Sequence, residues 1–394
     1  LVQGVGFRPH VYRCAQRLEV TGFVGNDPEG VLIEVEGEQL DAFLQLLQDE
    51  LPPLARIDKL IQAPLQLAGE GDFSIAPTTA GAANGAAIPA DVALCEDCLQ
   101  ELFDPDNRRY LHPFIACCNC GPRYTMTRQL PYDRANTAMA DFALCRACDE
   151  EYTDPADRRF HAEPVACHDC GPRLSGDISD TASALAAGDI VAIKGVGGYH
   201  LACDARNPDS VARLRSCKRR DGKPFAVMVL NLASAARHVS LDGEVGTHLL
   251  SRERPVVVAP SLARADALAE YLSPGLGTLG LMLPYTPAHY LLFHALLGAP
   301  TGSDWLGEDS DLALVMTSAN ISGEPLITDA LEAERQLAGI ADGFLHHDRD
   351  IPARADDSVL RVAPGMSGIV RRARGFTPHA IKLAQAGPVV LALG

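Results

Sequence analysis

The rhythm of apolar and polar positions divides the chain into three stretches. In the first, "VLIEVE" sets Val31, Ile33 and Val35 against Leu32, Glu34 and Glu36, a period of two that predicts a half-buried strand. "LDAFLQLLQDE" follows, with Leu40, Phe43, Leu44 and Leu47 at helical spacing. An earlier helix is expected from about Pro9, because proline is favoured in a first helical turn. "APTTAGAANGAAIPAD" is small, polar and glycine-bearing, and reads as a linker over 77–91. From about 178 onward, apolar runs such as "IVAI", "RPVVVAP" and "LALVMTSAN" alternate with helical stretches, an α/β pattern.

The middle stretch is organised by repetition instead. "CEDCLQELFDPDNRRYLHPFIACCNCGPR" (95–123) recurs as "CRACDEEYTDPADRRFHAEPVACHDCGPR" (145–173). Each copy has the form C-x2-C-x18-C-x2-C, which supplies four soft thiolates at the interval of a structural zinc ribbon. The expected ligands are Cys95, Cys98, Cys117 and Cys120, with Cys145, Cys148, Cys167 and Cys170. Pairing within or across the copies is open at this level. A full set of four sulfurs leaves no open coordination position, so two structural zinc ions are expected. Gly121 and Gly171 are expected to give the knuckles their positive φ. Cys118 reads as a spare, and Cys14, Cys203 and Cys217 as core residues. His112 and His161 read as surface residues or partners of the ligands.

Length and charge narrow the classes. A chain of 394 residues exceeds the usual size of one core, so several domains are expected. A net charge of −17 argues against a general nucleic-acid binder and against docking on an anionic membrane. No apolar run approaches the roughly 18–20 residues of a membrane span. The opening "LVQGVGFRPH" has neither an initiator Met nor the charged and apolar regions of a signal peptide. The expectation is a fragment of a cytoplasmic protein.

Against that acidity, "LRSCKRRDGKPFAVMV" (214–229) is a local cation cluster suited to a polyphosphate. It runs into an apolar strand, which sets Lys218, Arg220 and Lys223 at a strand mouth, where α/β ligands bind. "KGVGGYHLACDA" places Lys194 and three glycines after another strand, with His200 as a possible pocket residue, and lacks the spacing of a Walker loop. "TSANISGEP" ends a third strand in Thr317, Ser318, Asn320 and Ser322, groups able to bond phosphate oxygens or a magnesium shell. At the amino terminus, Gly4 and Gly6 precede the first helix, whose free N–H groups, together with Arg8, suit a phosphate.

"VQGVGFR" with "GFVGND" resembles the acylphosphatase family. The resemblance implies a ferredoxin-like fold over 1–76, with Arg8 binding the phosphate of an acyl phosphate and Asn26 orienting the attacking water. That family's first strand normally precedes the motif, so a truncated first strand is expected. K-x-R-x-x-K-P at 218–224, "PYTPAHYLL" at 284–292, "TSANISGEP" and "SGIVRRARGF" at 367–376 resemble YrdC-like domains, which form carbamoyl-type adenylates from ATP. This implies an adenylate-forming α/β domain over 176–385, to which Arg374 adds a cation. The whole order is similar to the HypF family: an acylphosphatase-like start, a tandem zinc-finger domain over 92–175, and a YrdC-like α/β domain. The fold class is thus α+β with α/β, multidomain.

The HypF resemblance implies a carbamoyltransferase of [NiFe]-hydrogenase maturation. Carbamoyl phosphate would be cleaved, and carbamate, unstable in water, would travel inside the protein to attack ATP, with magnesium, giving carbamoyl-adenylate and pyrophosphate. The group would then pass to the C-terminal cysteine of a HypE-type partner, toward a cyanide ligand. Residues 386–394 would begin a further domain. The fingers are expected to be a rigid spacer. Two rivals remain: a threonylcarbamoyl-adenylate synthase acting in tRNA modification, which does not need the amino-terminal motif or the fingers, and a zinc-ribbon nucleic-acid module. The latter is disfavoured by an aromatic content of 6%, too sparse for stacking platforms.

Overall fold

The computed structural model describes residues 4–26, 30–76, 88–130, 132–220, 222–262, 272–320, 323–363, 365–381, 387–388 and 390. Most of the expected linker, Ser322 and most of 386–394 lie outside these.

The amino-terminal unit has helix α1 (Phe7–Arg17), strands β1 (Thr21–Asn26) and β2 (Val31–Glu36), helix α2 (Leu40–Asp49) and strand β3 (Phe73–Ile75). The helix begins two residues before the expected Pro9. In the sheet β1 is central, antiparallel to β2 and parallel to β3. Phe43 and Leu47, one turn apart on α2, close the core with Val5, Val11, Val24 and Phe73.

The two copies of the repeat fold alike. Helices α3 (Glu96–Leu102) and α4 (Arg146–Thr153) each start directly after the first cysteine of their copy. Leu111 and His161, at equivalent positions, both take a positive φ and both donate backbone N–H to the helix before them, at Leu102 O and Tyr152 O. The knuckle glycines differ from expectation. Gly121 has φ 89°, whereas Gly171 does not adopt a positive φ. It is required for space instead: a Cβ there would lie 2.7 Å from Ala166 Cβ and 2.8 Å from Cys167 O.

The third unit is a nine-stranded mixed sheet with strands in the order β10-β4-β5-β9-β6-β8-β7-β11-β12. These are β4 (Val191–Lys194), β5 (Tyr199–Asp204), β6 (Ala226–Val229), β7 (Val256–Pro260), β8 (Thr278–Met282), β9 (Ala313–Ser318), β10 (Gly343–Leu345), β11 (Val359–Ala363) and β12 (Met366–Arg371). Helices cover both faces, so the central strands are buried on each side and read as continuous apolar runs. One of the two core layers is shared. Leu102, Phe103 and Ile115 of the first finger pack in the same cluster as Ile193, Tyr285, Phe293 and Trp305. The first finger is therefore cemented into the α/β unit. Each large apolar side chain so buried contributes roughly 1.5–3 kcal/mol. Among the described residues no helix is long and apolar enough to cross a membrane.

Candidate functional site

The predicted site residues fall into four places. The first is the amino-terminal turn. Gly4 and Gly6 both have positive φ, and Gly6 caps α1 without a side-chain hydrogen bond. The first-turn N–H groups of an 11-residue helix are thus presented beside the half-buried Arg8. Asn26 ends β1, is buried, and its Oδ1 has no hydrogen-bond partner among the described residues. A buried amide oxygen left unsatisfied is costly, so it marks a position fitted for something other than stability. The finger region forms the facing wall. A Cβ on Gly6 would lie 3.4 Å from Cys118 Cβ, and one on Gly4 would lie 2.8 Å from Tyr132. Burial lowers His161 to about 4, with Arg8 adding to the shift. Burial also raises Glu163 to about 7, against the pull of Arg8. Arg8 is thus felt electrostatically by the second copy of the repeat.

The second place is the pair of cysteine clusters. Cys95, Cys98, Cys117 and Cys120 converge with all ligand atoms within 4.8 Å, as do Cys145, Cys148, Cys167 and Cys170. Pairing is thus within each copy. Sulfur separations of 3.6 and 3.9 Å in the first set, and 3.7 and 3.8 Å in the second, suit the edges of a tetrahedron. Four thiolates about 2.3 Å from one zinc ion give edges of about 3.8 Å. The donor set therefore fits a soft tetrahedral ion. Cys118 is buried and donates to Phe160 O, while Cys217, expected in the core, is exposed. His112 is fully buried, not at the surface.

The third place is the cation cluster. Lys218 caps the C-terminus of α5 (Pro208–Cys217), and its Nζ donates to the carbonyl oxygens of Ser318 and Asn320, both at 2.7 Å. Arg220 donates to Thr317 Oγ1 at 3.0 Å and stacks over Phe225. Ser318 Oγ donates to Asn320 Oδ1, and Asn320 Nδ2 to Glu324 O. Burial, then the neighbouring Arg220 and Lys223, pull Lys218 down to about 8. Arg220 is lowered to about 10 by burial, then by Arg215 and Arg371. Lys223 is exposed and shifts the same way, by burial first, then by Arg220 and Arg371. Lys218 is buried, Arg220 half-buried and Lys223 exposed, and a group of like charges with little counter-charge suits a polyanion. Arg371, which pairs with Asp356 at 2.6 Å, belongs to it. Only its place in "SGIVRRARGF" hinted at this.

The fourth place holds Lys194, His200 and Arg374. A cavity of about 50 Å3 lies between the first finger, at Phe114 and Ile115, and the α/β unit, at Lys194, Gly195, Tyr285 and Arg374. Lys194 Nζ donates to His347 O. Arg374 is buried and lies 3.5 Å from the centroid of Tyr285. Its Nε donates to Asp357, and its two Nη atoms donate to Glu253 O and Arg254 O. All three nitrogens are thus engaged within the chain, so Arg374 organises the wall of the cavity. His200 Nε2 meets the other oxygen of Asp357 at 2.9 Å. Its Nδ1 has no partner among the described residues and faces Gly195, where a Cβ would sit 3.0 Å away. His200 pairs in register with Ser318 across β5 and β9, which joins this place to the cation cluster. Asp357 had no signal in the sequence beyond being an acid in "ADDSVL".

Three family models match the chain in the same order. The acylphosphatase model matches residues 1–75. The HypF finger model matches 94–127 and 144–175. The model described as telomere recombination, covering Sua5, YciO and YrdC, matches 183–373. The chain is 52% identical over its whole length to carbamoyltransferase HypF2 of Cupriavidus necator, covering 51% of that protein. It is 51% identical to carbamoyltransferase HypF of Rhizobium leguminosarum bv. viciae, again over its whole length and 50% of that protein. A crystal structure of full-length HypF in the phosphate- and nucleotide-bound form superposes with a TM-score of 0.87 at 44% identity, covering 96% of this chain and 49% of that one. The chain spans about half the length of the relatives it matches.

Proposed function

Because the chain belongs to the HypF carbamoyltransferase family, we propose that it carries two successive steps of carbamoyl transfer: cleavage of carbamoyl phosphate, and ATP-dependent formation of carbamoyl-adenylate. We read its units as 1–76, 92–175 and 176–385, joined by 77–91, with 386–394 leading into a further domain. The observation that carries the proposal is the presence, in one chain, of a buried Asn26 whose Oδ1 has no partner among the described residues, of Arg8 in the first turn of α1, and of a cation cluster of depressed Lys218, Arg220 and Lys223.

At the first place, Arg8 and the N–H groups of α1 bind the phosphate, and Asn26 Oδ1 accepts a hydrogen bond from the attacking water. The products are carbamate and inorganic phosphate. At the third place, a carbamate oxygen attacks the α-phosphorus of ATP and pyrophosphate leaves. Lys218, Arg220 and Lys223 stabilise the charge that develops on the phosphate oxygens. The hydroxyls of Thr317 and Ser318, with Asn320 and Ser322, orient phosphate or a magnesium shell. The cavity beside Lys194 and Arg374 supports an internal route for carbamate, with the fingers as rigid spacer. Zinc is the ion the two tetrads are read to hold, as structural metal. Its chemistry is to cross-link four thiolates, with no open position for substrate.

In full-length relatives the carbamoyl group would pass to a cysteine of a HypE-type partner. A cytoplasmic setting agrees with thiol-rich metal sites. The threonylcarbamoyl-adenylate alternative leaves the amino-terminal cradle and both fingers without a use. The test is ATP–pyrophosphate exchange on this chain with carbamoyl phosphate, against threonine plus bicarbonate, with Lys223→Ala as control. Exchange supported only by threonine would overturn the reading.

A further inference from the structure

The arginine pairs of the repeat cross over. In each copy an Asp-Pro turn follows the first helix and ends in two arginines, and these serve the other copy's thiolates. Arg108 Nη2 donates to Cys148 Sγ at 3.0 Å, and its Nε donates to Glu151 at 3.1 Å. Arg109 also reaches Cys148 Sγ, at 3.4 Å, and pairs with Glu151. In mirror image, Arg158 Nη2 donates to Cys98 Sγ at 3.2 Å, and its Nε donates to Glu101 at 3.1 Å. Arg159 pairs with Glu101. Glu101 and Glu151 lie on the same helices as the cysteines they flank, three residues on, so they present the arginine to its sulfur from one helix face.

Each arginine turn is held by its own copy. Asp104 and Asp154 accept from the N–H two residues on, and Asn107 and Asp157 accept from the N–H of Arg109 and Arg159. Those turns sit at the ends of α3 and α4, which begin at the first metal-binding knuckles. A divalent ion with four thiolates carries two net negative charges, and a guanidinium N–H on sulfur spreads that charge and blocks attack by a proton. A bound metal in one copy thus fixes the helix and turn that deliver the cation to the other.

We propose that the two tetrads form one reciprocally clamped metal unit: Arg108 and Arg109 hold the metal of the second site, Arg158 and Arg159 that of the first, and emptying either site loosens the other. This rests on the tetrads binding metal and does not depend on the carbamoyl chemistry.

The test loads the chain with zinc, or with cadmium-113, whose two resonances are assigned by single Cys→Ser variants. Release into excess EDTA is followed with a chromophoric zinc indicator. Arg108→Met, at a position one third exposed and so tolerant of change, should speed release from the second site by about tenfold or more, and shift that site's cadmium resonance. Arg158→Met should do the same to the first site. Arg108→Lys, which keeps a donor, should restore part of the retention. In Cys145→Ser the first site should also release faster. Metal loss confined to the variant's own copy would overturn the proposal, as would unchanged rates in both arginine variants. An unshifted trans resonance in protein that retains both metals would do the same without reference to kinetics.

Discussion

Lys218 donates its Nζ to the backbone carbonyl of Ser318 at 2.7 Å, across a hundred residues of sequence. The ammonium is buried, and burial with Arg220 and Lys223 pulls it to about 8. A base whose folded value lies below its unfolded value near 10.4 binds fewer protons when folded in the window between the two. Its contribution to stability therefore rises with pH from about 8 to about 10.4. A nucleotide triphosphate reverses the electrostatics and favours the charged form. Binding of ATP at pH 9 should take up protons, read as a calorimetric enthalpy that depends on the buffer's ionisation heat. Lys218→Met should remove that uptake and weaken binding at least tenfold, since a hydrogen bond to a charged group is worth about 1.5–3 kcal/mol. A buffer-independent enthalpy in the native chain would contradict the assignment.

Arg8→Ala should lower release of phosphate from carbamoyl phosphate by about 100- to 1000-fold, the scale on which a preorganised charge partner contributes. ATP binding measured by calorimetry should stay unchanged, because the cation cluster lies in another unit. Asn26→Asp keeps the shape but adds a negative charge beside the phosphate, and should be as inactive as Arg8→Ala. Cleavage that survives both substitutions would place the reaction elsewhere.

The chain has one tryptophan, and it reports on the first finger. Trp305 is buried, with Phe103 edge-on at 5.0 Å between ring centroids. Phe103 directly follows α3, which starts at Cys95 of the first knuckle. Chelation should red-shift the tryptophan emission and lower the melting temperature of the α/β unit, because the two share one core layer. Cys95→Ser should reproduce both changes and uncouple carbamoyl-phosphate cleavage from adenylation. An emission maximum indifferent to chelation would show the finger to be independent of that core.

The elements were legible where one face alone is buried. β2 and α2 appear where their periods put them, and the duplicate C-x2-C spacing named all eight clustered cysteines. What could not be read was contact across chain distance. Pairing of cysteines within each copy, the crossing of Arg108 and Arg158, and the shared core at Phe103 and Trp305 all depend on how units dock. Gly171 shows the same limit on a smaller scale: a glycine can be demanded by space as well as by φ, and a sequence does not say which. Arg374 reads in the sequence as one more cation of the adenylate-forming domain, and its bonds within the chain are not legible there. Its carboxylate partner sits seventeen residues away with no distinguishing neighbours.

That carboxylate gives the sharpest stability prediction. Asp357 is buried between Arg374, at 2.9 Å, and His200, at 2.9 Å. Burial opposes its charge, but Arg374 and then His200 outweigh it and hold the carboxyl far below the usual range. A depressed folded value stabilises the chain above the unfolded value near 3.9 and withdraws that support as pH falls below it. Asp357→Asn should remove the acid-dependent part of unfolding and leave Arg374 buried without a counter-charge, at a cost of about 3–5 kcal/mol. Arg374→Met alone should strand Asp357 in the same way. The double variant should lose less than the sum of the two, because each single change leaves a lone charge that the other removes. Denaturant unfolding of the four proteins at pH 7 measures that difference, and simple additivity would mean that the pair is not coupled.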